Sequence, residues 1–213
     1  MSLLPIPKRN LVISLVFLLF LAVAIATLTP LEKTLGGNLR LVYLHGAWVW
    51  TGIITFSISG ITALAALLTR NNFLHNLSRS SGWSGMCFWL TYLPMSLAVM
   101  KINWNGFFFD EPRWKIPFTF AVIGLLLQVG LYLVNSKWIT SLANFIYGSA
   151  LIYNLMNMDS VLHPGSPVFS SESSEIKLVF ILLLTVTMLM STILTSIWLV
   201  FSPGNELQPV KEV

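Results

Sequence analysis

The sequence predicts an all-α integral membrane protein, a single polytopic domain (1–213) of six transmembrane helices joined by short loops. Three observations carry that reading. Of 213 residues, 55% are hydrophobic and only 9% charged, against about 25% charged in an ordinary globular domain. The mean hydropathy is +0.78. The apolar residues also gather into six stretches near the ~20-residue length that a helix needs to cross a hydrocarbon core. A soluble enzyme and a disordered chain are excluded on these grounds. So is a disulfide-stapled module, because Cys87 is the one cysteine and pairing needs two.

The first stretch, Leu11–Leu28, follows Lys8 and Arg9, which favour a cytoplasmic N-terminus. Ala22, Ala24 and Ala26 also match the A-x-A pattern of a signal peptide, whose removal would cost one helix. Pro30, Gly36 and Gly37 then break the chain. Leu41–Thr69 is longer than a span requires, so it tilts or stands above the hydrocarbon. Asn71–Ser81 reads as a polar loop in which His75 has no particular role. Gly82–Ile102 follows, with a kink expected at Pro94. Ile116–Asn135 and Trp138–Met158 flank a tight turn at Ser136-Lys137, and Ile176–Phe201 comes last. Outer-membrane strands would show sustained alternation of polarity, whereas Leu125–Leu127 and Phe180–Leu184 are continuously apolar.

Six spans put both termini on one side, read here as the cytoplasmic side of a bacterial or organellar inner membrane. The twelve Lys and Arg residues divide equally between the two sides, while six of the eight acids fall on the outer one. The basic residues are scattered rather than gathered into the stripe that nucleic acid requires. Membrane lipids are therefore the expected surroundings, with no nucleic-acid partner. The helical interiors hold almost no ionisable groups, which argues against an ion-coupled carrier. Thr51, Thr55, Ser59 and Ala63 form an i, i+4 stripe of small residues that lets another helix approach closely. Cys87 reads as a small core residue, and Met95, Met100, Met156 and Met158 as packing.

Three polar clusters fall on the predicted outer side. The first runs from Arg40 through Tyr43, His45 and Trp48 to Trp50. The second contains Trp104, Gly106, Phe107, Phe108, Phe109, Asp110, Arg113 and Trp114. The third is Leu162-His163-Pro164-Gly165-Ser166-Pro167. Singly, each has an ordinary explanation: an interfacial histidine, an aromatic belt, a turn. Together they supply what a b-type haem needs. Neutral imidazole is a standard axial donor to haem iron, flat rings suit a porphyrin face, and Arg40, Arg113 or Lys115 could pair with propionates.

Tyr43-Leu-His45 followed by Ala47-Trp48, the aromatic segment ending in Asp110, and Leu162-His163 before Pro-Gly resemble the CcmC/CcsA-like cytochrome c assembly family. Members are haem-handling membrane proteins with a histidine segment, a tryptophan-rich segment and a second histidine in this order. The likeness runs from about Arg40 to the last helix. Here Trp104 and phenylalanines stand where that family has several tryptophans, and no proline separates His45 from Ala47. The resemblance implies His45 and His163 as axial ligands to the metal and Trp104, Gly106, Phe107, Phe109 and Asp110 as a haem platform. Trp48, Arg40 and Arg113 would lie nearby. It further implies haem presentation rather than an enzymatic reaction, with an ABC transporter and a haem chaperone as partners. Two other classes stay open. One is a membrane subunit of a respiratory or photosynthetic electron-transfer complex that holds haem or quinone permanently. The other is a structural subunit without a cofactor.

Overall fold

A computed structural model describes residues 7–29, 37–159, 168 and 172–201. These residues form six α-helices and, among them, no strand. The helices are α1 (Lys8–Leu28), α2 (Leu39–Thr69), α3 (Asn72–Trp104), α4 (Pro112–Val134), α5 (Lys137–Met156) and α6 (Ser174–Phe201). All but α5 are long and apolar enough to cross a membrane. The 20 residues of α5 still reach about 30 Å, but its polar side chains lower its apolarity.

The largest difference from the sequence expectation lies between α2 and α3. Within the expected loop Asn71–Ser81, residues 72–81 are helical, so α3 begins ten residues before Gly82. Two residues make the turn. Arg70 closes α2 in the left-handed conformation, with φ 57° and its N–H donating to the Ala66 carbonyl. Asn71 then caps α3, its side chain accepting from the Phe73 and Leu74 N–H groups. The α4–α5 turn repeats the device: Asn135 is left-handed at φ 49°, and Ser136 accepts from the Ile139 N–H. Lys137, expected in that turn, is instead the first residue of α5. Apolarity failed to find the start of α3 because His75, Ser78, Ser80 and Ser81 are polar yet buried against neighbouring helices.

Packing places α2 and α3 at the centre, with α5 and α6 against both. At the edges, α1 rests on α6 and α2, and α4 rests on α3 and α5. One core joins α1, α2 and α6 through Ala22, Tyr43, Phe180 and Leu183. The other, around Phe56, Met86, Trp89, Tyr92 and Tyr147, joins α2, α3, α4 and α5. The small-residue stripe on α2 is buried as expected. Its hydroxyls also find partners: Thr51 donates to Thr187 Oγ1 at 2.7 Å, Thr55 and Ser191 share a bond at 2.7 Å, and Ser59 donates to the Ser78 carbonyl at 2.8 Å. On the adjoining face Gly60 meets Gly148, where a Cβ would lie 3.1 Å from the Phe56 carbonyl. Cys87 is half-buried, whereas Met156 is largely exposed and does not pack.

Asn144 of α5 is the hub of the polar interior. It accepts from Gln128 Nε2 at 2.9 Å and donates to both the carbonyl and the hydroxyl of Ser78, at 3.2 and 3.1 Å. Asn144→Leu would strand the buried Gln128 amide on α4 and leave Ser78 short of a donor. Interhelical hydrogen bonds in bilayers are worth about 0.6 kcal/mol on average and up to ~1.7. The expected loss is therefore about 1–2 kcal/mol, read as a lower midpoint of dodecyl sulfate unfolding in mixed micelles.

Candidate functional site

The hairpin formed by α2 and α3 decides what stands beside His45. Because the chain reverses at Arg70-Asn71, the first turns of α2 run antiparallel to the second half of α3. His45 accordingly meets Tyr92, ring centroids 5.8 Å apart and tilted by 47°. One turn further along α2, Trp48 leans on Phe88 at 4.8 Å and donates from Nε1 to Thr91 Oγ1 at 2.8 Å. That hydroxyl is itself anchored on the Cys87 carbonyl at 2.7 Å. Behind His45 the helix face is closed by Tyr43 and Ala47, both fully buried. The Tyr92 hydroxyl is buried without a hydrogen-bond partner. His45 itself is half-buried, and Arg40 is exposed at the start of α2.

The aromatic segment forms a second cluster at the same end of the bundle. Asn105, left-handed at φ 54°, ends α3 and sends the chain into the link before α4. Phe108 folds back over Gly106, where a Cβ would lie 3.2 Å from its ring, and its N–H donates to Met100 Sδ at 2.8 Å. Phe107 and Phe109 stack at 6.0 Å with planes 16° apart, and Phe109 leans on Trp114. Trp104 meets Phe108 edge-on at 6.2 Å. Lys101 lies 5.9 Å over the Phe107 ring, and Lys115 pairs with Asp110 at 3.7 Å. Both of those charges are exposed, so the pair contributes little to stability. Arg113 is half-buried in the first turn of α4. Trp114, read from sequence as an interfacial belt residue, is buried.

The structure thus joins His45 with Trp48, and Trp104 with Phe107, Phe108 and Phe109. The two groups lie at different heights: from Tyr92 to Trp104 is about 18 Å of rise along α3. His163 lies outside the described residues, as do Pro30 and Gly36. Among the described residues no group of three or more His, Cys, Asp or Glu could hold a bare metal ion. A haem iron needs only one or two protein donors, so this does not bear on haem.

Sequence reading missed Tyr92, Phe88 and Thr91. A signal for them existed. Phe88 and Tyr92 share one face of α3 at i, i+4, and a two-residue turn at Arg70 would have paired them with residues 45–48. Taking 71–81 as a loop hid that register. The chain matched no protein-family model and no curated protein.

Proposed function

We propose that this protein holds a b-type haem non-covalently at the end of the bundle formed by the start of α2 and the α3–α4 link, and hands it to a partner protein. The observation that carries the reading is the seat of His45. Its imidazole packs against the Tyr92 ring, one turn from the Trp48–Thr91 hydrogen bond, and the unpartnered Tyr92 hydroxyl beside it is free to bond a ligand or a water. The residue types suit haem: an imidazole for the iron, exposed flat rings at Phe107 and Phe109 beyond the end of α3, about 18 Å of helix rise from Tyr92, and Arg40, Arg113 and Lys115 for the propionates. Bound haem would supply an exchangeable, redox-active iron. The chain's own work is to ligate it, shield one face and leave it accessible; no covalent bond is made, so the protein is not an enzyme. A haem chaperone and an ATP-driven transporter are the partners this reading calls for, with His163 as the second axial donor.

A second reading is favoured by the tight packing behind His45 and by its distance from the aromatic link. On it, the chain is a structural, or permanently haem- or quinone-holding, subunit of an electron-transfer complex. Absorption spectra of the detergent-purified protein, expressed with haem supplied, separate the two. The haem-handling reading expects substoichiometric low-spin haem, converted to high-spin or lost in His45→Ala and in His163→Ala. A colourless wild type, or a stable stoichiometric complex with redox subunits, would replace it with the second reading.

A further inference from the structure

The opposite end of the bundle holds a feature that the haem reading does not use. The N-termini of α3 and α5 lie side by side there, and neither has an acid in its first turn. Helix N-termini carry partial positive charge and favour anions, yet this end carries cations. Lys137 is the first residue of α5 and donates to Asn72 Oδ1 at the start of α3. Arg79 donates to Asn135 Oδ1 at 3.2 Å and lies 5.9 Å over the Tyr132 ring. Arg70, exposed, occupies the turn between α2 and α3. Asn72 and Arg79 are about 10 Å apart along α3, so the clips made by Lys137 and Arg79 lie within about two helical turns of each other. The two stretches that form these turns, residues 66–81 and 132–141, contain no Asp or Glu.

A buried imidazole lies between the same two helices. His75, in the first turns of α3, is 2% exposed and bonded through Nδ1 to Ser141 of α5 at 2.6 Å. Its Nε2 is buried with no hydrogen-bond partner. Trp138 packs edge-on against this imidazole at 4.7 Å while remaining 41% exposed, as an indole at a membrane–water interface would be. The C-termini of α2 and α4 meet the same two turns and offset the helix dipoles, so the positive charge here is that of the three cations, with no acid in residues 66–81 or 132–141.

We propose that this end is a binding seat for a phosphate-bearing anion, the headgroup of an anionic phospholipid, held by Arg70, Arg79 and Lys137. Arg79 and Lys137 would supply charge-assisted hydrogen bonds to phosphate oxygens, and the lipid's acyl chains would run down the apolar outer face of α4 at Leu133 and Val129, both exposed. The proposal is independent of haem.

The full-length protein in nanodiscs of equal phosphatidylglycerol and phosphatidylcholine, released into native mass spectrometry, tests it. Wild type is expected to retain phosphatidylglycerol over phosphatidylcholine by about tenfold, in line with the attraction of clustered basic residues to anionic lipid. Arg70→Gln/Arg79→Gln/Lys137→Gln should fall to near parity. Lys101→Gln/Lys177→Gln, at the other end, and the charge-preserving Arg70→Lys/Arg79→Lys/Lys137→Arg should keep the preference. Should the triple glutamine variant fail to fold by circular dichroism, Arg70→Gln alone, outside the two clips, should still lower the ratio. Melting in pure phosphatidylcholine nanodiscs with inorganic phosphate, against chloride, distinguishes a soluble source. A rise in Tm that the triple variant lacks would assign the same seat to a free phosphate. Parity in wild type with no phosphate response would overturn the proposal, as would an unchanged preference in the folded triple or single variant.

Discussion

Trp89→Ala is expected to destabilise the bundle by about 2–4 kcal/mol, less than the ~3–5 kcal/mol typical of Phe or Trp truncation in a water-soluble core. Trp89 is fully buried, packed edge-on against Phe56 at 6.0 Å and Tyr92 at 5.0 Å. It also fills the space opposite Gly52 of α2, where a Cβ would lie 3.0 Å from its ring. Its Nε1 donates to the Pro117 carbonyl of α4 at 3.0 Å, so one side chain ties three helices together. The cost falls below the water-soluble value because lipid is as apolar as the helix interface, which removes most of the transfer term and leaves cavity and hydrogen bond. Trp89→Phe keeps an aromatic ring but loses the hydrogen bond and part of the ring volume, and should cost about 1–2 kcal/mol. Dodecyl sulfate unfolding followed by circular dichroism measures both. Equal midpoints for the two variants would mean that packing contributes nothing there.

Gly124→Val should cost about 1–3 kcal/mol by overpacking. A Cβ at Gly124 would lie 2.5 Å from Tyr147 Oη, 2.8 Å from its Cζ and 3.0 Å from Met86 Sδ. The tyrosine cannot easily retreat. Its hydroxyl donates to the Phe120 carbonyl at 2.8 Å, and its ring is packed between Phe56 and Phe120 at 5.0 and 5.7 Å. Gly130, six residues along the same helix, has nothing within 4 Å of its added Cβ. Gly130→Ala should instead be neutral or gain up to about 1 kcal/mol of helix propensity. The same unfolding assay separates the pair, and Gly124→Val/Tyr147→Phe should recover part of the loss. If both glycine substitutions behave alike, the α4–α5 contact is looser than these distances require.

The class of fold was legible because crossing a bilayer imposes length and apolarity on each segment. Those two properties located all six helices and most of their ends. They missed the first ten residues of α3 for the same reason. A window of apolarity cannot tell a polar residue facing water from one hidden between helices, and Ser78, Ser81 and His75 are of the second kind. The small stripe on α2 was legible by its spacing. Its partners on α6, Thr187 and Ser191, lie more than 130 residues away, and no periodicity within α2 could name them.

The candidate site divides in the same way. The residue types that suit haem were readable in order along the chain, since imidazole, flat rings and guanidinium keep their chemistry wherever they fall. Their distances were not. The reversal at Arg70 set His45 against Tyr92, and the continuous rise of α3 carried Trp104 about 18 Å beyond it. At the other end, two turns far apart in sequence became one basic surface only because α3 and α5 pack together. Apolar length and composition were enough to identify a helical membrane bundle and the chemical groups it carries. Tertiary structure alone decided which of those groups meet, because helix pairing and axial register are set by interhelical packing, and spacing along one helix does not encode them.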